Sequence, residues 1–102
     1  MATHNIKVTF QGGVPRVDPE ECRMCEGDEV KWVGTGPQKF NVEFEKDSPI
    51  GAKTLPHGQA TRSNRVAKGT VRKPYRYSVV PEANPSGAVD PVIVIEDPSH
   101  NP

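Results

Sequence analysis

The chain reads as an all-β domain, a two-sheet β-sandwich of six or seven short strands, on three observations. Eleven prolines and nine glycines are spread through 102 residues, a punctuation that suits short strands joined by many turns. Apolar and polar residues alternate with a period of two in several separate stretches, as in strands with one wet face. No stretch carries an apolar helical stripe with caps at its ends. A chain of this length makes one domain, residues 1–102, whose single core buries about two thirds of the surface exposed on unfolding.

Taken in order, Ile6, Val8 and Phe10 alternate with Lys7 and Thr9 to give a first strand that Gly12 and Gly13 close. Pro15 and Pro19 bracket an extended connection. From Cys22 to Val33 two strand segments are split by Gly27 and Asp28: Cys22 and Met24 share one face, then Val30 and Trp32 point inward and Glu29 and Lys31 outward. After the turn at Gly34, Gly36 and Pro37, inward Phe40, Val42 and Phe44 alternate with outward Asn41, Glu43 and Glu45. Residues 47–61 form the least regular stretch, with room for one turn of helix, and a loop of that length in a small domain is functional or mobile. Val66 and Val71 lie in a region of moderate strand character. Tyr75, Tyr77 and Val79 then alternate with Arg76, Ser78 and Val80, PEANPSG turns the chain, and Val92 to Ile95 run apolar as a strand covered on both faces does. These last two strands are the unit around which the rest is expected to pack. Residues 1–4 and 98–102 are expected to be flexible termini.

Thirteen basic and thirteen acidic side chains cancel, so the overall field gives no attraction to nucleic acid or to an anionic membrane. There is no basic patch followed by an apolar run at the amino terminus, and nothing approaches the ~20 apolar residues of a membrane span. The expected compartment is the cytoplasm, a periplasmic or secreted mature form without its leader being the alternative. A monomer is expected. Within the neutral total, Arg62 to Arg76 holds six basic residues and no acid, whereas Asp18 to Glu29 holds six acids and one arginine. That segregation makes either two solvated faces or a dipole able to orient a partner.

VDPEECRMCEGDEVKWV resembles the cupredoxin (plastocyanin and azurin) segment in which a proline precedes a strand, then Gly-Asp, then an apolar-x-aromatic strand: here Pro19, Gly27, Asp28, Val30 and Trp32. KFNVEFEKDSP is similar to the cupredoxin strand that opens on a ligand histidine, and YRYSVVPEANPSGAVDPVIVI resembles the strand, loop and strand that carry the other three copper ligands. The resemblance implies a cupredoxin-like, two-sheet Greek-key β-sandwich of six to eight strands. It also places the ligand positions on Phe40, Val79, Glu82 and Ala88. A blue-copper site needs two imidazoles, a thiolate and a weak axial group, and these four residues do not supply them. Phe40 and Val79 are therefore expected to fill the pocket as core, with no cofactor.

Cys22-Arg23-Met24-Cys25 is a lone C-x-x-C with no second pair to complete a zinc site. On an extended strand its sulfurs face opposite sides with Cα atoms roughly 10 Å apart, beyond disulfide reach. Cys22 reads as a small buried hydrophobe and Cys25 as a solvent-side thiol; the alternative is a soft Cu(I) or redox site of Cys22, Met24 and Cys25. His4 and His100 read as solvated, and His57 is held between Pro56 and Gly58 in a tight turn. No Ser-His-acid arrangement or G-x-S-x-G is present, so no enzyme is expected. In cupredoxins the copper end docks redox partners, so the resemblance implies a protein-binding rim at Lys39, Pro81, Glu82 and Pro85, with Pro37, Ala83 and Ala88 nearby. The expected function is a copper-free cupredoxin-like binding or structural module, the alternative being a Cys/Met-based Cu(I) carrier or thiol redox protein.

Overall fold

A computed structural model describes residues 2–12, 14–82 and 91–96. Its strands are β1 (Thr3–Gln11), β2 (Val14–Asp18), β3 (Glu21–Cys25), β4 (Glu29–Gly34), β5 (Phe40–Phe44), β6 (Thr54–Leu55), β7 (Asn64–Arg65), β8 (Pro74–Pro81) and β9 (Val92–Glu96), with one helical turn, α1 (His57–Ala60), between β6 and β7. One sheet has the order β2-β1-β4-β7 and the other β3-β9-β8-β5-β6. The pairs β1 with β4 and β3 with β9 are parallel, and the remaining pairs are antiparallel. The expected two-sheet sandwich is thus present, with β8 and β9 adjacent inside the five-stranded sheet.

The period-two reading places the core correctly. Ile6 and Val8, Val30 and Trp32, Phe40, Val42 and Phe44, and Tyr75, Tyr77 and Val79 are all buried. Such alternation leaves one face of each sheet for the interior, where the two inner faces interdigitate. The indole of Trp32 donates to Tyr77 Oη at 3.2 Å, their rings meeting edge to face at 5.5 Å, so the largest core side chain has its one polar atom satisfied. Gly12, at φ 60° in the β1–β2 turn, takes the left-handed conformation that a two-residue hairpin requires.

Several expectations are corrected. The connection between Pro15 and Pro19 is strand β2, paired with β1 from Lys7 opposite Asp18 to Gln11 opposite Val14. It is an edge strand, where a proline lacking its N–H is tolerated. Strand β9 is not covered on both sides: Ile93 and Ile95 are buried, but Val92 and Val94 lie half-buried on the outer face. Arg76 stands directly opposite Val92 and Arg23 opposite Val94 on the flanking strands. Val66 is a fully buried core residue just beyond the short β7, whereas Val71 is 63% exposed. Thr3 and His4 are not a loose terminus, since β1 pairs them with Glu29 and Val30; residues 98–102 lie outside the described residues.

Candidate functional site

The positions that the motif resemblance singles out come together where β5 begins and β8 ends. Phe40 is paired with Pro81 and Val42 with Val79, which makes Phe40 and Val79 diagonal neighbours on one face of the ladder. Both are fully buried. The Phe40 ring lies 6.3 Å from that of Phe10 and meets His57 edge to face at 4.8 Å. A Cβ on Gly34 would sit 3.4 Å from Phe40 Cε2, so the ring is packed from that side as well. On the outside, Glu82 N donates to the Lys39 carbonyl at 3.0 Å, which brings the exposed Lys39 and Glu82 side by side. Pro81 is buried, a correction to its place on the docking rim: its ring faces inward with Val79, two residues earlier on the same strand. Pro85 and Ala88 lie outside the described residues.

This donor set does not fit a blue-copper ion. Phe40 and Val79 offer no lone pair, and Glu82 is a single hard carboxylate where soft nitrogen and sulfur are needed. Among the described residues no three His, Cys, Asp or Glu side chains converge.

The cysteines sit on strand β3 as its alternation demands. Cys22 and Met24 point into the core, Cys25 is half-buried on the opposite side, and neither cysteine is in a disulfide. Burial pushes the Cys22 thiol up, and the negative charge of Asp28 adds to this. A thiol so placed is a poor source of the thiolate that binds metal or attacks a disulfide.

Four polar residues escaped the sequence reading or were misread. Asp28 is a buried carboxylate in the β3–β4 turn, accepting from Cys25 N and Ala2 N at 3.0 Å and meeting His4 Nε2 at 2.9 Å. Burial raises its pKa, but the Cys25 amide, His4 and the Ala2 amide together outweigh that and hold it below the ordinary value. His4 is therefore partnered, not solvated, because β1 runs parallel to β4 and delivers it to the turn. Asn64 is also buried; its amide donates to the carbonyl of Arg62 at 2.9 Å and accepts from Gln59 Nε2 at 2.8 Å, tying α1 to β7. His57 Nδ1 accepts from the Phe40 amide at 3.2 Å. The only signals for these were Gly27 beside Asp28, as in tight turns, and the proline and glycine around His57.

The charge segregation along the sequence is partly cancelled in space. Arg65 reaches Glu29 at 3.0 Å, and Lys73 reaches Asp47 at 2.9 Å. A groove of about 460 Å³ lies between β2 and the β3 and β9 side, and another of about 340 Å³ is lined by Asp47, Lys73 and Tyr75. Neither is lined by Phe40, Val79 or Glu82. No helix is long and apolar enough to cross a membrane among the described residues.

No protein-family model matches the chain, and no curated protein does. Solved structures do. A Sinorhizobium pseudoazurin superposes with a TM-score of 0.62 at 19% identity, over 97% of this chain and 77% of that one. The pseudoazurin of Methylobacterium extorquens AM1 gives 0.62 at 22% identity, over 93% and 76%. An amicyanin in its reduced Cu(I) form gives 0.53 at 18% identity, over 90% and 82%. The fold is cupredoxin-like, as the motif resemblance implies, and at these identities the likeness is one of fold.

Proposed function

We infer that the chain is a copper-free cupredoxin-like module that binds a protein partner at the end carrying Lys39 and Glu82, without catalysis. The observation that carries this is the pair Phe40 and Val79, both fully buried in the apolar core. The fold that amicyanin uses with Cu(I) is here closed at those two positions by side chains that cannot coordinate. What remains at that end is a surface, with Lys39 and Glu82 exposed beside Pro37. The cupredoxin resemblance supports a docking role for it, since that end meets partners in cupredoxins. A docking rim presented by rigid strand ends needs no metal to hold its shape. The thiol alternative loses ground because Cys22 and Met24 face the core and Cys25 does not.

Titration with Cu(II) tests the first half of the reading. No intense visible absorption and no rise in melting temperature are expected, and a blue product ends it. Charge reversal at Lys39 and Glu82 tests the second half: the variants keep the parent's thermal stability but lose partners captured by the unaltered protein.

A further inference from the structure

The geometry points to His57 as a pH-sensitive latch that holds the first turn of α1 against Phe40 and lets go when the imidazole is protonated. The helix has four residues and its N-cap, Pro56, makes no side-chain cap hydrogen bond, so it has no stability of its own. It is held from outside. At its far end Ala60 is buried and Gln59 is bonded to Asn64. At its near end, two residues beyond the buried Leu55 of β6, the polar contact is His57, through the Phe40 amide and the edge-to-face rings.

Because Nδ1 accepts from the Phe40 N–H, that nitrogen carries no proton, and the neutral ring keeps its own proton on Nε2. A second proton has one place to go, which is Nδ1. It would then face the Phe40 amide donor to donor, in a part-buried setting, and an attraction becomes a repulsion. Helix α1 packs on β5 and β6. The titratable and charged groups on and beside these elements are Glu43 of β5, Glu45 and Lys46 just after it, Lys39 and Lys53 just before the two strands, and Arg62 just after the helix. The acceptor role of Nδ1 ties the switch to this one ring. When the latch opens, the His57 ring swings away from the Phe40 ring, while Leu55 before the helix and Ala60 and Gln59 at its far end keep their places. The ring edge is thereby uncovered close to the Lys39 and Glu82 surface. Any bearing on docking rests on the function proposed above, whereas the latch does not.

The test is NMR of the ¹⁵N-labelled protein between pH 8 and pH 5, the range in which histidines change charge. It reads the His57 ring nitrogens together with hydrogen exchange at the Phe40 amide. At high pH the ring is expected as the Nε2–H tautomer. As it titrates, the protection of the Phe40 amide, corrected for the intrinsic pH dependence of exchange, falls about tenfold. His57→Asn, whose side-chain oxygen can accept where Nδ1 did but cannot be protonated, keeps that protection at both ends of the range. Protection that stays constant through the titration, a fall that persists in His57→Asn, or an Nδ1–H ring at high pH each overturns the latch. The first and third are read on the unaltered protein, so the question is decided even if the variant does not fold.

Discussion

Replacing Phe40 by alanine asks whether the site is core or vacant pocket. The ring is fully buried and contacted by Phe10 and His57, with the Gly34 backbone beneath it. Truncating such a phenylalanine removes its transfer free energy and leaves a cavity, together about 3–5 kcal/mol. At about 2.1 cal/mol/K per residue, unfolding entropy for 102 residues is about 0.21 kcal/mol/K, so the melting temperature should fall by about 14–24 °C. Urea unfolding followed by the fluorescence of Trp32, the single tryptophan and itself buried, reads the change directly. Glu82→Ala is the control: it removes an exposed side chain and should shift stability by no more than about 0.5 kcal/mol. A loss below about 1 kcal/mol for Phe40→Ala would mean the ring fills nothing, and the inference that the copper position is occupied by core would fail.

Other consequences can be measured with the same unfolding assay. The pKa of Asp28 is held low in the folded state, so its contribution is fully present above the unfolded carboxylate pKa of about 3.9 and is lost as pH falls through the lowered folded value. Asp28→Ala should cost about 1–3 kcal/mol at neutral pH, because the Cys25 and Ala2 amides lose their acceptor, and should flatten the acid limb of stability against pH; an unchanged limb refutes this. Tyr77→Phe removes the acceptor of the Trp32 indole N–H and should cost about 1–3 kcal/mol, with a shift in the emission of Trp32; no change in either would place the indole elsewhere. A thiol reagent should modify Cys25 in the folded protein and Cys22 only as the chain unfolds, and mass mapping that finds Cys22 labelled first contradicts the orientation of β3.

Wherever one face of a strand is wet and the other dry, the side-chain pattern alone showed which way residues point. That is why Phe40 and Val79 could be assigned to the interior from the chain itself. The pattern was blind where partners come from far along the sequence. His4 looked like a terminal residue because nothing local shows that β1 lies parallel to β4, which brings its imidazole to Asp28. Pro15 suggested a break because proline is barred from central strands, while an edge position leaves its missing N–H without consequence. Val92 and Val94 are apolar yet half-exposed, and hydrophobicity alone cannot tell a covered outer face from a partly wet one. The partial cancellation of the charge runs was hidden for the same reason, since Arg65 and Glu29 are 36 residues apart in sequence.

The parallel pairing of β3 with β9 sets Cys22 against Ile93, joining two segments far apart along the chain. While the chain is being made, the greasy side of β3 must wait, unzipped, until the ribosome has released β9. A message cut short before Val92 would leave Cys22 and Met24 without that neighbour. Such a fragment should be sticky and short-lived in the cell, not a smaller working version of the protein.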